Sequence, residues 1–293
     1  MIITKETDFK KVKDNSIIGE GIPKLINSTI EFVGKGNILY CDKNVTLEDS
    51  KIVFHGNNSI VYLSSNYNNY KLDVSMYNNN TLYFGKDNYI NQKLLIILSE
   101  EKNLFVGNEC LFSTGIVFRT ADPHLIYDNK SHERLNYSKS IYLGDHIWVG
   151  QNTIILKGTQ IDSGSIIGAM SLVSGKKVKH NTVNAGVPLR EIKKKIFWTR
   201  QCVHTWTKKD TENNKKYEKK GYIYHYDEKK SILFSDIEKE LTIDSPTDKI
   251  EYLKNISNNT SQNRFVHLID HVRIKKLIIK LKKIIKKIIH RWC

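Results

Sequence analysis

The chain has 293 residues, 40% hydrophobic and 26% charged, with a formal net charge of +15. That length holds one large domain with an appendage, or two domains, and the apolar fraction is enough for a core. Cys41, Cys110, Cys202 and Cys293 lie far apart with no CxxC spacing, which argues against a disulfide or metal framework. The first fifteen residues contain no signal-peptide apolar run, and no stretch reaches ~18 uninterrupted apolar residues. A cytoplasmic chain is expected.

Residues 1–24 read as an N-terminal cap. Four stretches then share an apolar residue, a glycine, Asn or Asp, and a further apolar residue: 32–38 (FVGKGNI), 54–60 (FHGNNSI), 84–90 (FGKDNYI) and 105–111 (FVGNECL). Gly and Asn accept positive φ cheaply and suit tight corners. Val106, Phe112 and Phe118 start a six-residue step whose next position is His124. The polar stretch 125–140 breaks the step and reads as a loop leaving the coil, a common place for a binding site. The step then resumes at Leu143, Val149, Ile155, Ile161, Ile167 and Val173. Gly144, Gly150 and Gly168 follow three of these residues. Ile141, Ile147, Thr153, Thr159, Ser165 and Ser171 each stand two before one. A helix repeats at 3.6 residues and a strand at 2, so neither gives a period of six. A triangular coil with six residues per face does, and stacked coils bury one continuous core. The competing reading is a β-sandwich with coincidental spacing. The fold class is mainly β, a parallel β-helix over 25–195 whose early coils are irregular and whose late coils are regular.

After Val178 the pattern fades, and a helix is expected to begin near Leu189. Residues 196–263 read as a small appendage, with 255–263 (NISNNTSQN) as a linker. Residues 264–293 read as a terminal amphipathic α-helix. Ile274, Leu277, Leu281, Ile284 and Ile288 line one face, and ten Lys or Arg against Asp270 give the segment +9. Such a helix suits an anionic membrane surface. A coiled coil between subunits and contact with a polyanionic acceptor are the other readings.

Histidine is the side chain whose ordinary pKa suits proton abstraction near neutral pH, and His124 sits where the coil is interrupted. The alternative is a structural histidine bonding a nearby carbonyl. The six-step frame points His146 and Trp148 outward, and a bare indole there needs a partner.

The stretch DPHLIYD…RLNYSKSIYLGDHIWVGQNTIILKG…IDSGSIIGAMSLVSGKKV…NAGVP, within 113–195, resembles the left-handed β-helix acyltransferases, and most the bacterial capsule and sialic acid O-acetyltransferases. The resemblance implies a left-handed helix, an acetyl-CoA donor, a hydroxyl acceptor on a capsular or other surface polysaccharide, and a homotrimer with sites between subunits. It implies that His124 and Trp148 are the catalytic residues, His124 as the general base and Trp148 at the CoA tunnel. Backbone N–H groups near Gly150 would hold the oxyanion, and Gly168 and Ala169 would pass the pantetheine arm. Lys176, Lys177 and Arg190 would meet the phosphates, and Asp122 and His146 would lie toward substrate. No metal and no nucleic-acid partner are expected. The location implied is the inner face of the inner membrane, where capsule polymers are built. The early coils, rich in Asn and Tyr and outside the common core, are a candidate seat of acceptor choice. The runner-up enzyme reading is an acetyltransferase for a lipooligosaccharide sugar or a nucleotide-sugar amine. The non-enzymatic reading is a glycan-binding β-helix scaffold, which has no need of the His124–Trp148 pair.

Overall fold

A computed structural model describes residues 1–219, 221–227, 230–261 and 264–267. From Ser16 onward the chain winds as a parallel β-helix with three faces. Face one carries eight strands, from Ser16–Gly19 to Lys177–Val178. Face two starts with Lys24–Ile26 and Thr46–Glu48, and continues from Tyr89–Ile90 through Trp148–Val149 to Thr182–Ala185. Face three runs from Thr29–Phe32 to Leu172–Val173. The coil therefore begins inside the segment expected to be a cap. Ahead of it, Ile2 and Ile3 pair antiparallel with Glu31 and Ile30 at the open end.

The six-residue step is the pitch of the late coils. Tyr142 faces Gln160, Trp148 faces Ile166 and Ile154 faces Leu172, each a step of 18, or three sixes. Leu143, Val149, Ile155, Ile161, Ile167 and Val173 are all fully buried, worth about 1.5–3 kcal/mol each by transfer from water. The small polar residues beside them are satisfied at the corners. Thr153 Oγ1 donates to the Gly150 carbonyl at 2.8 Å and Ser171 Oγ to the Gly168 carbonyl at 2.7 Å.

The early coils are larger. Ser16 faces Ile38, Thr29 faces Lys51 and Tyr89 faces Leu111, each a step of 22. The added length goes into strands of four or five residues on faces one and three, against two or three later on. Their asparagines form ladders between coils. The Asn15 amide oxygen accepts from the Asn37 backbone N–H, and Asn37 in turn from Ser59, both at 2.9 Å. Asn58, Asn79 and Asn152 adopt positive φ at corners, where Asn is better tolerated than other non-glycine residues.

Tyr40, Tyr62, Tyr70 and Tyr83 of these coils are buried packing residues, whereas Tyr67, Tyr77 and Tyr89 are exposed. On face one, Tyr40 stacks on Tyr62 at 4.3 Å and Tyr83 on Phe105 at 4.6 Å. The appendage covers this column with two helices, α2 (Phe234–Leu241) and α3 (Pro246–Asn258). A shorter helix, α1 (Lys208–Asn213), precedes them, capped by Thr207. Face one at this level is closed to an acceptor, which narrows the reading of the Tyr-rich coils to their other two faces. The supposed linker is also in part helix: α3 continues to Asn258, with Ile256 and Ser257 buried.

Two further expectations change. No helix starts near Leu189. Arg190–Lys194 is a strand pairing antiparallel with Thr182–Ala185, which closes the exposed edge of face two with a charged strand. The tail does not begin as a helix either. Phe265–Val266 is a strand paired with Ile232–Leu233. Arg264 is buried and grips the Asp145 carboxylate through Nε at 3.0 Å and Nη2 at 2.7 Å. The remainder of the proposed amphipathic helix, 268–293, lies outside the described residues. Among the described residues, no helix is long and apolar enough to cross a membrane.

Candidate active site

The coil is interrupted between Arg119 on face three and Ile141 on face one. Leu104 faces Ile141 across a step of 37, fifteen more than the 22 of the coil before it. The added residues form a loop braced by ion pairs. Arg134 holds the Glu100 carboxylate in a two-pronged contact at 2.7 and 2.8 Å, and Ser138 Oγ donates to the same group. These donors hold the Glu100 carboxyl down to about 2.

His124 lies exposed on this loop, and its imidazole has no hydrogen-bond partner among the described residues. The alternative of a histidine bonding a carbonyl is not what the fold contains. Its backbone is fixed on both sides by Asn136. Asn136 Nδ2 donates to the His124 carbonyl at 2.7 Å and to Asp122 Oδ2 at 3.1 Å, and Asn136 Oδ1 accepts from the Ile126 N–H at 2.9 Å. Lys157 Nζ donates to Asp122 Oδ2 at 2.5 Å. With Lys157 first and Asn136 next, these donors lower the Asp122 pKa. Asp122 thus braces the loop. The clamp role of Asn136 was not drawn from sequence, although the residue stands in the motif just before the coil resumes.

Trp148 is on face two, outward as expected, and 40% exposed. His124 is at the edge between faces three and one, on the far side of the prism, so a single chain does not bring the pair together. His146 is a correction. It points out of the coil at positive φ but is fully buried beneath the appendage. Its ring stacks on Trp198 at 3.8 Å and Tyr222 at 4.7 Å, with Nε2 at 3.0 Å from the Trp198 carbonyl. Burial, aided by nearby Arg200, lowers its pKa to about 4. It is a neutral packing residue, out of a glycan's reach.

The donor-site candidates divide. The Gly150 N–H donates to the Ile167 carbonyl at 2.7 Å and the Gly168 N–H to the Asn184 carbonyl at 2.8 Å. Both are engaged in the coil ladder, so an oxyanion donor near Gly150 would be a different N–H. A Cβ on Gly150 would come within 2.5 Å of the Ala169 nitrogen, and one on Gly168 within 2.8 Å of Ala185 Cβ. Their glycine character serves coil stacking. Ala169 stands at the same corner. Lys176 and Lys177 are exposed at the last coil, and Arg190 opens the terminal strand of face two. Lys177 faces a groove of about 760 Å³, shared with Lys102, Lys139, Lys157 and Glu238, beside the root of the His124 loop. A cationic groove of this kind suits phosphate groups.

The β-helix of this chain matches the left-handed β-helix of the hexapeptide-repeat acyltransferases. Its homologues are polysialic acid and galactoside O-acetyltransferases. It is 31% identical over 93 residues to the polysialic acid O-acetyltransferase of Escherichia coli O1:K1 / APEC, covering 32% of this chain and 30% of that one. It is 28% identical over 109 residues to the Neisseria meningitidis polysialic acid O-acetyltransferase, covering 37% and 51%. The chain thus matches about half or less of these curated relatives' length. Among solved structures, the polySia-specific acetyltransferase NeuO superimposes with a TM-score of 0.57 at 26% identity, over 68% of this chain and 93% of that one. No family model matches the chain.

Proposed function

We propose that this protein is an O-acetyltransferase that moves the acetyl group of acetyl-CoA to a hydroxyl of a capsular or other surface polysaccharide. The observation that carries the reading is the unpartnered His124 imidazole on a loop held rigid by Asp122, Asn136 and Lys157. The likeness to named O-acetyltransferases supports it.

In this reading His124 takes the proton of the acceptor hydroxyl as that oxygen attacks the thioester carbonyl. The C–S bond breaks from the tetrahedral intermediate, and the CoA sulfur leaves and is protonated. No covalent acyl-enzyme is needed. Lys176, Lys177 and Arg190 would bind the CoA phosphates, and Ala169 and Trp148 would flank its acyl end. Because His124 and Trp148 lie on opposite sides of one prism, the complete site requires the loop of one chain to meet face two of another. A homotrimer satisfies this. The tail beyond His267 is proposed to contact anionic membrane at the inner face of the inner membrane, where the polymer is made.

The test is acetyl-CoA turnover by the full chain with polysialic acid and with galactosides, with the acetylated position mapped by NMR. Acceptor-dependent release of CoA is expected. Its absence for every polysaccharide, with the protein folded, overturns the reading in favour of a glycan-binding scaffold.

A further inference from the structure

We infer that the groove between face two and the segment 197–204 is a subsite for a carboxylate-bearing pyranose, and that Arg200 reads the carboxylate. The groove measures about 610 Å³ and is lined by Tyr89, Asn91, Trp148, Trp198, Arg200 and Asn68, among others. That volume is in the range of small-molecule sites, and the lining has the usual pattern of aromatic surface with a few polar groups.

The aromatic floor follows from the coil register. Tyr89 faces Leu111, and Leu111 faces Trp148, so the three point outward in one column of face two. Adjacent coils lie about 4.8 Å apart, which makes the column a continuous platform. Tyr89 is 41% and Trp148 40% exposed, although both are large aromatics. A sugar ring has an apolar C–H face and a rim of hydroxyls. It can lie on such a platform while the Asn68 and Asn91 amides meet its rim.

The wall opposite is outside the coil. Trp198 fixes it: its ring stacks on His146, and its Nε1 donates to the His146 carbonyl at 3.1 Å. Arg200 follows two residues later. Its guanidinium donates to the Asp87 carbonyl and has no carboxylate partner among the described residues. A guanidinium offers five donors in a planar fork that matches a carboxylate in two-pronged fashion. A neutral sugar would leave that fork unmatched. A nonulosonic or uronic acid unit supplies both the stacking face and the anion. The proposal rests on the acetyltransferase reading only in calling this sugar the acceptor; the binding itself stands apart from it.

The test is calorimetric titration of the full chain with a short α2,8-linked sialic acid oligomer, and with the same oligomer after its carboxyl groups are reduced to alcohols. The native protein should bind the acid form roughly tenfold tighter or more, as expected for a lost charge-assisted contact. Arg200→Gln should erase that preference while keeping weak binding of the reduced form. Arg200→Lys should restore it only in part. Tyr89→Leu should weaken both forms alike. Equal binding of the two forms by the native protein, no binding of either, or an unchanged preference in Arg200→Gln would overturn the inference. So would competition by CoA alone that Arg200→Gln abolishes, since the fork would then serve a donor phosphate. Acetyl-CoA turnover, measured separately on the same variants, reports the acetyltransferase reading: binding without turnover sinks that reading and spares this one.

Discussion

Arg264→Met should be among the most damaging single changes in the chain, although it touches no candidate site residue. The wild-type guanidinium is nearly solvent-free. It donates twice to Asp145 and through Nη1 to the carbonyls of Ile256 and Asn259, at 2.7 and 2.6 Å. Replacing it leaves the Asp145 carboxylate buried without its counter-charge, which typically costs about 3–5 kcal/mol. At about 2–4 °C per kcal/mol for a chain somewhat smaller than this one, the midpoint of thermal unfolding should fall by roughly 6–20 °C. Limited proteolysis should open first within 230–261, because Arg264 ties α3 to the coil. The double variant Asp145→Asn/Arg264→Met is the decisive control. The amide that replaces the carboxylate still has an oxygen to accept the Asn108 N–H that Asp145 accepts at 2.7 Å, and no buried charge remains. The double variant should therefore be more stable than Arg264→Met alone. A loss below ~1 kcal/mol in the single variant, or strictly additive losses across the cycle, would refute the reasoning.

Three more outcomes are expected. His124→Ala should lower kcat by about 10²–10⁴ with CoA affinity nearly intact, and a variant keeping most of its turnover would remove His124 as the base. Trp148→Ala should raise the KM for acetyl-CoA or lower kcat without changing the circular dichroism of the coil; unchanged donor kinetics would reassign it. His146, with a folded pKa of about 4 against the ordinary 6.5, makes stability depend on pH. The unfolded chain takes the proton first as pH falls, so this contribution is intact above pH ~6.5 and is lost by about pH 4, by roughly 3 kcal/mol. His146→Phe, which can retain a stack on Trp198, should flatten the urea-midpoint profile over that window. An unchanged profile would show that another group sets it.

The late coils were legible because each face takes the same six residues, so interior positions recur in plain view. The early coils hid their 22-residue step because the period is divided unequally among three faces, and only their Gly and Asn corners stood out. The loop was legible as a break in rhythm, and His124 with it. What surrounds the site was not legible, since outward residues look alike until something covers them. The frame sends His146 and Trp148 outward alike, yet one lies sealed under Trp198 and the other borders a groove. The partnership of Asp145 with Arg264 spans 119 residues and leaves no periodic trace. The strand Arg190–Lys194 was misread because a charged, solvent-facing strand lacks the alternation that marks a half-buried one.

The two coil sizes also divide the molecule into a part free to change in number and a part that is not. Between Ile38 and Ile60 the register repeats after 22 residues with the same corner ladder on either side. Residues 38–59 can thus act as a self-matching module. Copying or deleting it would move the N-terminal end by one coil, about 4.8 Å, and leave the His124 loop and Trp148 untouched. The covering helices set the limit on that freedom. They span Tyr40, Tyr62, Tyr83, Phe105 and Tyr142 together, so a gained coil would leave an aromatic rung uncovered, and a lost one would leave the helices overhanging. The appendage acts in this sense as a ruler, holding the stack at one length.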